Sequence, residues 1–443
     1  MKWQSVEERR HERLRKSVPR SFASAVFRDG AGSRQSWSAA CRENEDRRRR
    51  EDGLILRGMQ SEERGDPATA GMATARVRRA IECFQRQQER GVFPGGQLAV
   101  RRRGVLVVDE AVGTARGLRP DEHESPLRFT PELRSCVFSA GKPLVGVAIA
   151  LLEDRGQVDV ERPVAHYFAE FGRNGKSPIT LLDVLTHRSG LYLREIERDW
   201  RHYGDWDRVM ARIVDAEPYY PRGTLAYQPM GFGWILGEVV RRVTGSPIER
   251  FLETDLLSLA GLEDLRLGVA PSEVRSLARS YWVDRRPPRL GGEVLLGFEE
   301  AQNSVEQLTA VLPGAGTVGT ARSLSAFYAW LLEGARATGG KPLIRAEVLS
   351  RYVTPQTRGT DRVVRVPMVL GRGFAMGWRW PHAYGWWNTS SCFGHAGNFG
   401  TLAWADPSTG CAIAVVTNGN RSPWKLVSRF APIGSAIRAA CVE

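Results

Sequence analysis

The pattern of hydrophobic and polar positions divides the chain near residue 70. Residues 1–70 carry the run Arg47-Arg48-Arg49-Arg50, interspersed acids, few aliphatic side chains and no sustained period. That pattern predicts a solvated or disordered segment; translation starting at Met59 or Met72 would instead make it an artefact of start assignment. Regular periods begin at Ala73. Residues 73–90 place Val77, Ile81 and Phe84 on one helical face and stop at Gly91. Two β-rich stretches, 97–101 and 105–111, are joined by Arg-Arg-Gly, a hairpin signal. Helical periods then dominate over 142–153, 183–187, 231–243, 247–257 and 321–332. Near the end, 401–405 and 411–417 flank Asp406-Pro-Ser-Thr-Gly410 as a second hairpin, and a last helix is predicted over 425–441.

Strands at both ends with helices between them predict an α/β fold of the α+β sandwich kind. One mainly antiparallel sheet is assembled from the two ends of the ordered chain, 73–443, with a helical insertion over about 144–310 packed beside it.

Composition narrows the function. The 443 residues are 42% hydrophobic and 26% charged, which excludes collagenous, fibrous or wholly disordered chains. The net charge of +13, from 63 basic and 50 acidic residues, is too dilute to mark a nucleic-acid binder, and no nucleic-acid partner is expected. Only six of the basic residues are lysines, so a lysine at a meaningful spacing is informative. The six cysteines form no CxxC pair and no Cys/His metal spacing; they read as reduced thiols that mostly pack, with no metal expected. No apolar run reaches membrane-spanning length and no apolar stretch follows the charged N-terminus, so neither a membrane partner nor a secretory signal is expected, and the expected location is cytoplasmic.

Candidate chemistry starts at Ser139-Ala140-Gly141-Lys142, directly ahead of the apolar run 143–152. A helix beginning near Ser139 puts Lys142 one turn on and on the same face. There the free N–H groups favour developing negative charge, and a desolvated amine can help deprotonate the hydroxyl. The pattern is short, and a second copy stands at Ser422-Pro423-Trp424-Lys425. That copy, close to the C-terminus, reads as a helix start with Ser422 as cap and Pro423 in first position. Gly314-Ala-Gly316-Thr-Val-Gly319 satisfies GxGxxG, but no strand is established before it and no acidic residue follows at the required distance. These glycines read as a tight loop into a helix starting near Thr320.

Further segments follow Ser139 in order: Leu185-Thr-His-Arg-Ser-Gly-Leu191, Pro221-Arg-Gly-Thr-Leu-Ala-Tyr227-Gln-Pro229, a helix ending Arg242-Val-Thr-Gly245, Pro313 to Arg322, and Phe393-Gly-His395-Ala-Gly397. Taken together from residue 73 to about 440, the chain resembles the serine β-lactamase and penicillin-binding-protein-like superfamily, particularly its class C and esterase-like branch.

The resemblance implies a β-lactamase-like fold with an all-helical subdomain and an active site at the junction. It makes Ser139 the nucleophile, Lys142 its partner and Tyr227 the tyrosine of the YxN motif. It places His395-Ala396-Gly397 on the strand edging the site, with His395 and Gly397 against the substrate, and assigns the oxyanion hole to the backbone N–H groups of Ser139 and Asn398. No cofactor is implied. On their own pattern, Tyr227 reads as packing or a capped hydroxyl and His395 as a group satisfying backbone carbonyls. His187 is expected to be structural, in a turn buttressing the site. Two positions depart from the lactamase pattern: Pro229 stands where the YxN asparagine would be, and His395 where a lysine would pair with a substrate carboxylate. The aromatic cluster before His395 is expected to be half core, with Trp386 and Trp387 walling an apolar pocket.

The implied function is a serine hydrolase working through an acyl-enzyme on small carboxylic esters. The alternatives are an acyltransferase or transesterase of secondary metabolism, then a β-lactamase or D-amino-acid peptidase. Outside enzymes, the alternative is a catalytically silent binding homologue. The expected partner is a small ester or acyl compound, and the oligomeric state is left open.

Overall fold

The computed structural model describes residues 62–442 apart from 123, 124, 291, 292, 296, 380, 388 and 399. Expectations for residues 1–61 lie outside it. Packing begins ahead of Ala73: Gly65 N–H donates to Leu106 O, and Ala70 and Met72 are buried. Residues 65–72 therefore lie on the fold rather than in the solvated segment expected for them.

The elements that position the site are α1 (Thr74–Glu89), β1 (Gly95–Arg102), β2 (Val105–Arg116), β3 (Leu127–Arg128), α2 (Lys142–Asp154), α3 (Gly231–Thr244), α4 (Ala321–Leu332), β4 (Thr357–Thr360), β5 (Pro367–Leu370), β6 (Ala375–Met376), β7 (Phe393–Gly397), β8 (Thr401–Asp406), β9 (Cys411–Thr417) and α5 (Leu426–Ala440). The sheet runs β4-β5-β6-β7-β8-β9-β1-β2-β3, and every neighbouring pair is antiparallel. The N-terminal β1 pairs with the C-terminal β9 over seven residues, from Gly96↔Thr417 to Arg102↔Cys411, so the two ends of the ordered chain close one sheet, as the sequence predicted.

Both faces of that sheet are covered, and alternation along the strands divides the side chains between two cores. Leu98, Val100, Leu402, Trp404, Ile413 and Val415 point to one face, where they meet Val77 and Phe84 of α1 and Phe430 and Ile433 of α5. Ala99, Ala403, Ala405, Ala412 and Ala414 point to the other, joining Leu324, Phe327 and Tyr328 of α4 in a much larger core that continues into the helical insertion. The small alanines let α4 lie close on the sheet, whereas large side chains fill the wider space under α1 and α5. Along α2 every residue from Lys142 to Leu152 is buried, the mark of a central helix rather than an amphipathic surface one. Cys411 and Cys441, 30 residues apart, are brought together with their Sγ atoms 3.4 Å from each other.

Candidate active site

The strand Ser135–Cys136 pairs with Thr317–Gly319 and runs into a 3-10 turn over Phe138–Gly141, after which α2 begins at Lys142. The helical period read over 142–153 is borne out by α2, while Ser139 itself lies in the 3-10 turn ahead of it, which packs against the strand Thr317–Gly319. A Cβ on Gly141 would lie 2.0 Å from Thr317 Oγ1, so only glycine permits that passage. Phe138, just before the serine, sits at φ +50°, a left-handed conformation that a bulky residue adopts only under tertiary constraint.

This turn sets Ser139 Oγ 3.1 Å from Lys142 Nζ. Lys142 is fully buried. Its amine also meets Pro229 O at 2.6 Å and Gly314 O at 2.7 Å, and stands 5.0 Å from the centroid of the Tyr227 ring. Burial pushes its pKa down to about 7, against a smaller upward pull from the Glu197 carboxylate. Glu197 is shifted the opposite way, up to about 7, again chiefly by burial. Backbone N–H groups of Met230 and Gly231 and the charge of Lys142 oppose that rise.

Tyr227 lies on the segment that enters α3, and its hydroxyl is hydrogen-bonded to Ser139. Burial raises its pKa well above that of an ordinary phenol, only partly offset by that bond. The backbone around it is held almost residue by residue. Ala226 N–H donates to His187 O at 3.0 Å and Tyr227 N–H to Asp361 Oδ2 at 2.6 Å. Gln228 N–H donates to His187 Nδ1 at 3.1 Å, and Met230 N–H to Glu197 Oε1 at 3.2 Å. The His187 ring packs on Tyr227 and Phe232 at centroid distances of 4.6 and 5.1 Å.

Strand β7 forms the opposite wall. Phe393 points into the larger core and Ala396 toward the smaller one, so alternation sends His395 and Gly397 to the side of the Ser139 turn. A Cβ on Gly397 would stand 1.9 Å from Val137 O, which explains why the third residue of this triplet is glycine. Asn398 follows in the left-handed region at φ +46°. The His395 ring lies 6.1 Å from that of Tyr227, and its Nδ1 is 2.7 Å from Ala396 O.

The loop carrying Trp386 and Trp387 is anchored on α5 and on the smaller core. Trp386 N–H donates to Ser435 Oγ on α5, the neighbouring Tyr384 stacks on Trp404 in the smaller core, and Trp387 is 61% exposed.

Four contributors had no sequence signal. Asp361, 1% exposed in the turn between β4 and β5, accepts from Tyr227 N–H and also from Val363 and Val364 N–H. Glu197 and the carbonyls of Pro229 and Gly314 likewise meet the site from distant segments. Gly314 belongs to the GxGxxG stretch, read as a tight loop; only its first half turns, at 313–315, whereas Thr317–Gly319 is a strand that leads to α4 through Thr320, whose side chain caps the helix by accepting from Ser323 N–H. The second SxxK copy does start a helix, with Pro423 in its first turn. Ser422 does not cap with its side chain, however; its hydroxyl donates to Asp284 Oδ2 at 2.7 Å, and Lys425 pairs with the same carboxylate. Among the described residues no group of three or more His, Cys, Asp or Glu side chains is placed to hold a metal ion, and no helix is long and apolar enough to cross a membrane.

A sheet closed by both chain ends, flanked by helices and joined to a helical insertion at a Ser-Lys-Tyr cluster, defines the class of serine hydrolases built on the β-lactamase scaffold. The chain belongs to the beta-lactamase family, whose sequence model, described as Beta-lactamase, matches residues 80–436. It is 29% identical over 395 residues to the esterase/beta-lactamase LipL of Mycobacterium tuberculosis, an alignment covering 84% of this chain and 89% of LipL. A crystal structure of a penicillin-binding protein homologue from Caulobacter crescentus superposes with a TM-score of 0.71 at 27% identity, over 84% of this chain and 99% of that one. A family VIII carboxylesterase shares the fold with a TM-score of 0.67 at 23% identity, over 82% of this chain and 99% of its own.

Proposed function

We propose that the protein is a serine carboxylesterase in which Ser139 attacks the ester carbonyl and Lys142 is the base. The observation that carries this reading is the placement of the buried amine. Pro229 O and Gly314 O accept the two N–H bonds of a neutral amine, which leaves its lone pair for Ser139 Oγ at 3.1 Å. A pKa near 7 keeps a large share of that amine neutral at physiological pH, whereas the phenol of Tyr227, raised by burial, is almost wholly protonated. Magnitude therefore favours Lys142 over Tyr227 as the group that takes the serine proton. The resulting ammonium gains a third donor and is held by both carbonyls and by the Tyr227 ring.

In the same reading the N–H groups of Ser139 and Asn398 hold the tetrahedral oxyanion. The leaving alkoxide takes its proton from the Lys142 ammonium by way of the Tyr227 hydroxyl. Water then attacks the acyl-enzyme, giving the acid and free Ser139. The LipL similarity supports esters as the substrate class. So does the chain itself: Pro229 supplies no side-chain amide and His395 no cation for a substrate carboxylate. The test is labelling with a fluorophosphonate probe together with hydrolysis of short p-nitrophenyl esters. Ser139→Ala is expected to abolish both; a variant that labels and turns over like the parent would overturn the assignment.

A further inference from the structure

His395 contains a polar atom without a partner among the described residues. The residue is 5% exposed, and its Nε2 is buried with no hydrogen bond from any of them. Its other nitrogen settles the tautomer: Ala396 O, 2.7 Å from Nδ1, can only accept, so Nδ1 carries the proton and Nε2 presents a lone pair. Burial, with the nearby Lys142 adding to it, lowers the ring pKa to about 3, so the imidazole stays neutral. The strand alternation described above aims this face of β7 at the Ser139 turn, with the ring 6.1 Å from Tyr227. The Lys142 amine cannot serve the lone pair, because Ser139 Oγ, Pro229 O and Gly314 O occupy its bonding directions.

A buried acceptor left without a donor costs free energy, and a ligand that supplies the donor recovers it. We propose that His395 Nε2 is a specificity-determining acceptor, selecting esters that carry a neutral hydrogen-bond donor, a hydroxyl or an amide N–H, and rejecting those with a carboxylate at the same place. A carboxylate offers only lone pairs, so it meets Nε2 as acceptor against acceptor and finds no cation there. The inference rests on the esterase reading and names the substrate class within it.

The experiment compares p-nitrophenyl 3-hydroxybutyrate, 3-methoxybutyrate and the half-ester of succinate. A second pair, ethylene glycol monobutyrate and 2-methoxyethyl butyrate, places the donor on the alcohol side. In the parent protein kcat/KM for the hydroxyl ester is expected to exceed that for its methoxy counterpart by about tenfold or more in at least one of the two sets, with the succinate ester slowest. His395→Phe is expected to bring the ratio to about one. His395→Gln, which retains an acceptor oxygen, should keep part of the preference, and His395→Lys should raise the succinate ester relative to the others. A parent ratio near one in both sets, or a ratio that survives His395→Phe, overturns the proposal while leaving the esterase reading standing. If no ester is turned over and the probe does not label Ser139, the esterase reading fails and this inference falls with it.

Discussion

The chain writes Ser-x-x-Lys twice, and the two copies share more than the letters. Each lies on a 3-10 turn that runs directly into an α-helix, Phe138–Gly141 into α2 and Pro423–Lys425 into α5. Their surroundings differ. At Ser422 both side chains donate to one carboxylate, Asp284, and the Lys425 side chain is 45% exposed. At Ser139 no carboxylate of the described residues is within ion-pair distance of the amine; it is fully buried, ligated by two carbonyls, and bonded to the serine itself. The two lysines thus differ in what surrounds them: a carboxylate at one, and at the other a dry pocket with acceptor partners, which favours the neutral amine.

The comparison can be broken most severely at the amines. Lys142→Ala is expected to lower kcat/KM for short esters by about 10³-fold or more, since it removes the base. Lys425→Ala should leave kcat/KM within about twofold, and peptide mapping of probe-labelled Asp284→Asn should still find the label on Ser139 and none on Ser422. Equal losses from the two lysine variants would show that burial does not distinguish the copies.

A smaller effect is expected at Asp361, which touches no reacting atom but fixes the Tyr227 backbone. Asp361→Asn should cost about 10–100-fold in kcat with KM nearly unchanged, because misplacing the phenol affects the transition state more than binding. Steady-state kinetics on a p-nitrophenyl ester, with circular dichroism as the check on folding, would separate this outcome from simple unfolding, which lowers the active fraction and the melting temperature together.

At the second copy the expected effect is on stability. Burial pushes the Asp284 pKa up, but hydrogen bonds from Lys425 and Ser422 outweigh it and leave the carboxyl below its ordinary value. A lowered folded-state pKa stabilises the protein above the unfolded value and is lost as pH falls through the folded one. Asp284→Asn should therefore cost about 1–3 kcal/mol near neutral pH. The difference in denaturation midpoint from the parent should shrink on acidification below about pH 4.

The finest test is the position of the pH limb. With Lys142 near 7, the neutral base grows as pH rises, so kcat/KM should climb toward about pH 7 and level off above it. Glu197 pulls that pKa upward. Glu197→Gln is expected to shift the limb to lower pH; a limb that stays in place would remove Glu197 from the electrostatics of the site.

Much of the fold was legible before any coordinates. The second hairpin, the helix 321–332 and the long helices at 73–90 and 425–441 recur within a residue or two, whereas the second strand of the first hairpin runs on to Arg116, past the 111 read from its pattern. The order of the segments around Ser139, Tyr227 and His395 likewise pointed to the family.

The sequence by itself determined which segments are helix or strand and which residues can carry acyl-transfer chemistry, since periodicity and side-chain identity are local properties. Tertiary structure alone decided which of two identical spacings has its lysine buried and bonded to its serine. The pKa of a lysine depends on desolvation and on partners contributed by residues 197, 229 and 314, far away along the chain. Asp361 shows the same division: its hold on Tyr227 spans 134 residues and exists only once the turn between β4 and β5 packs against the segment leading into α3.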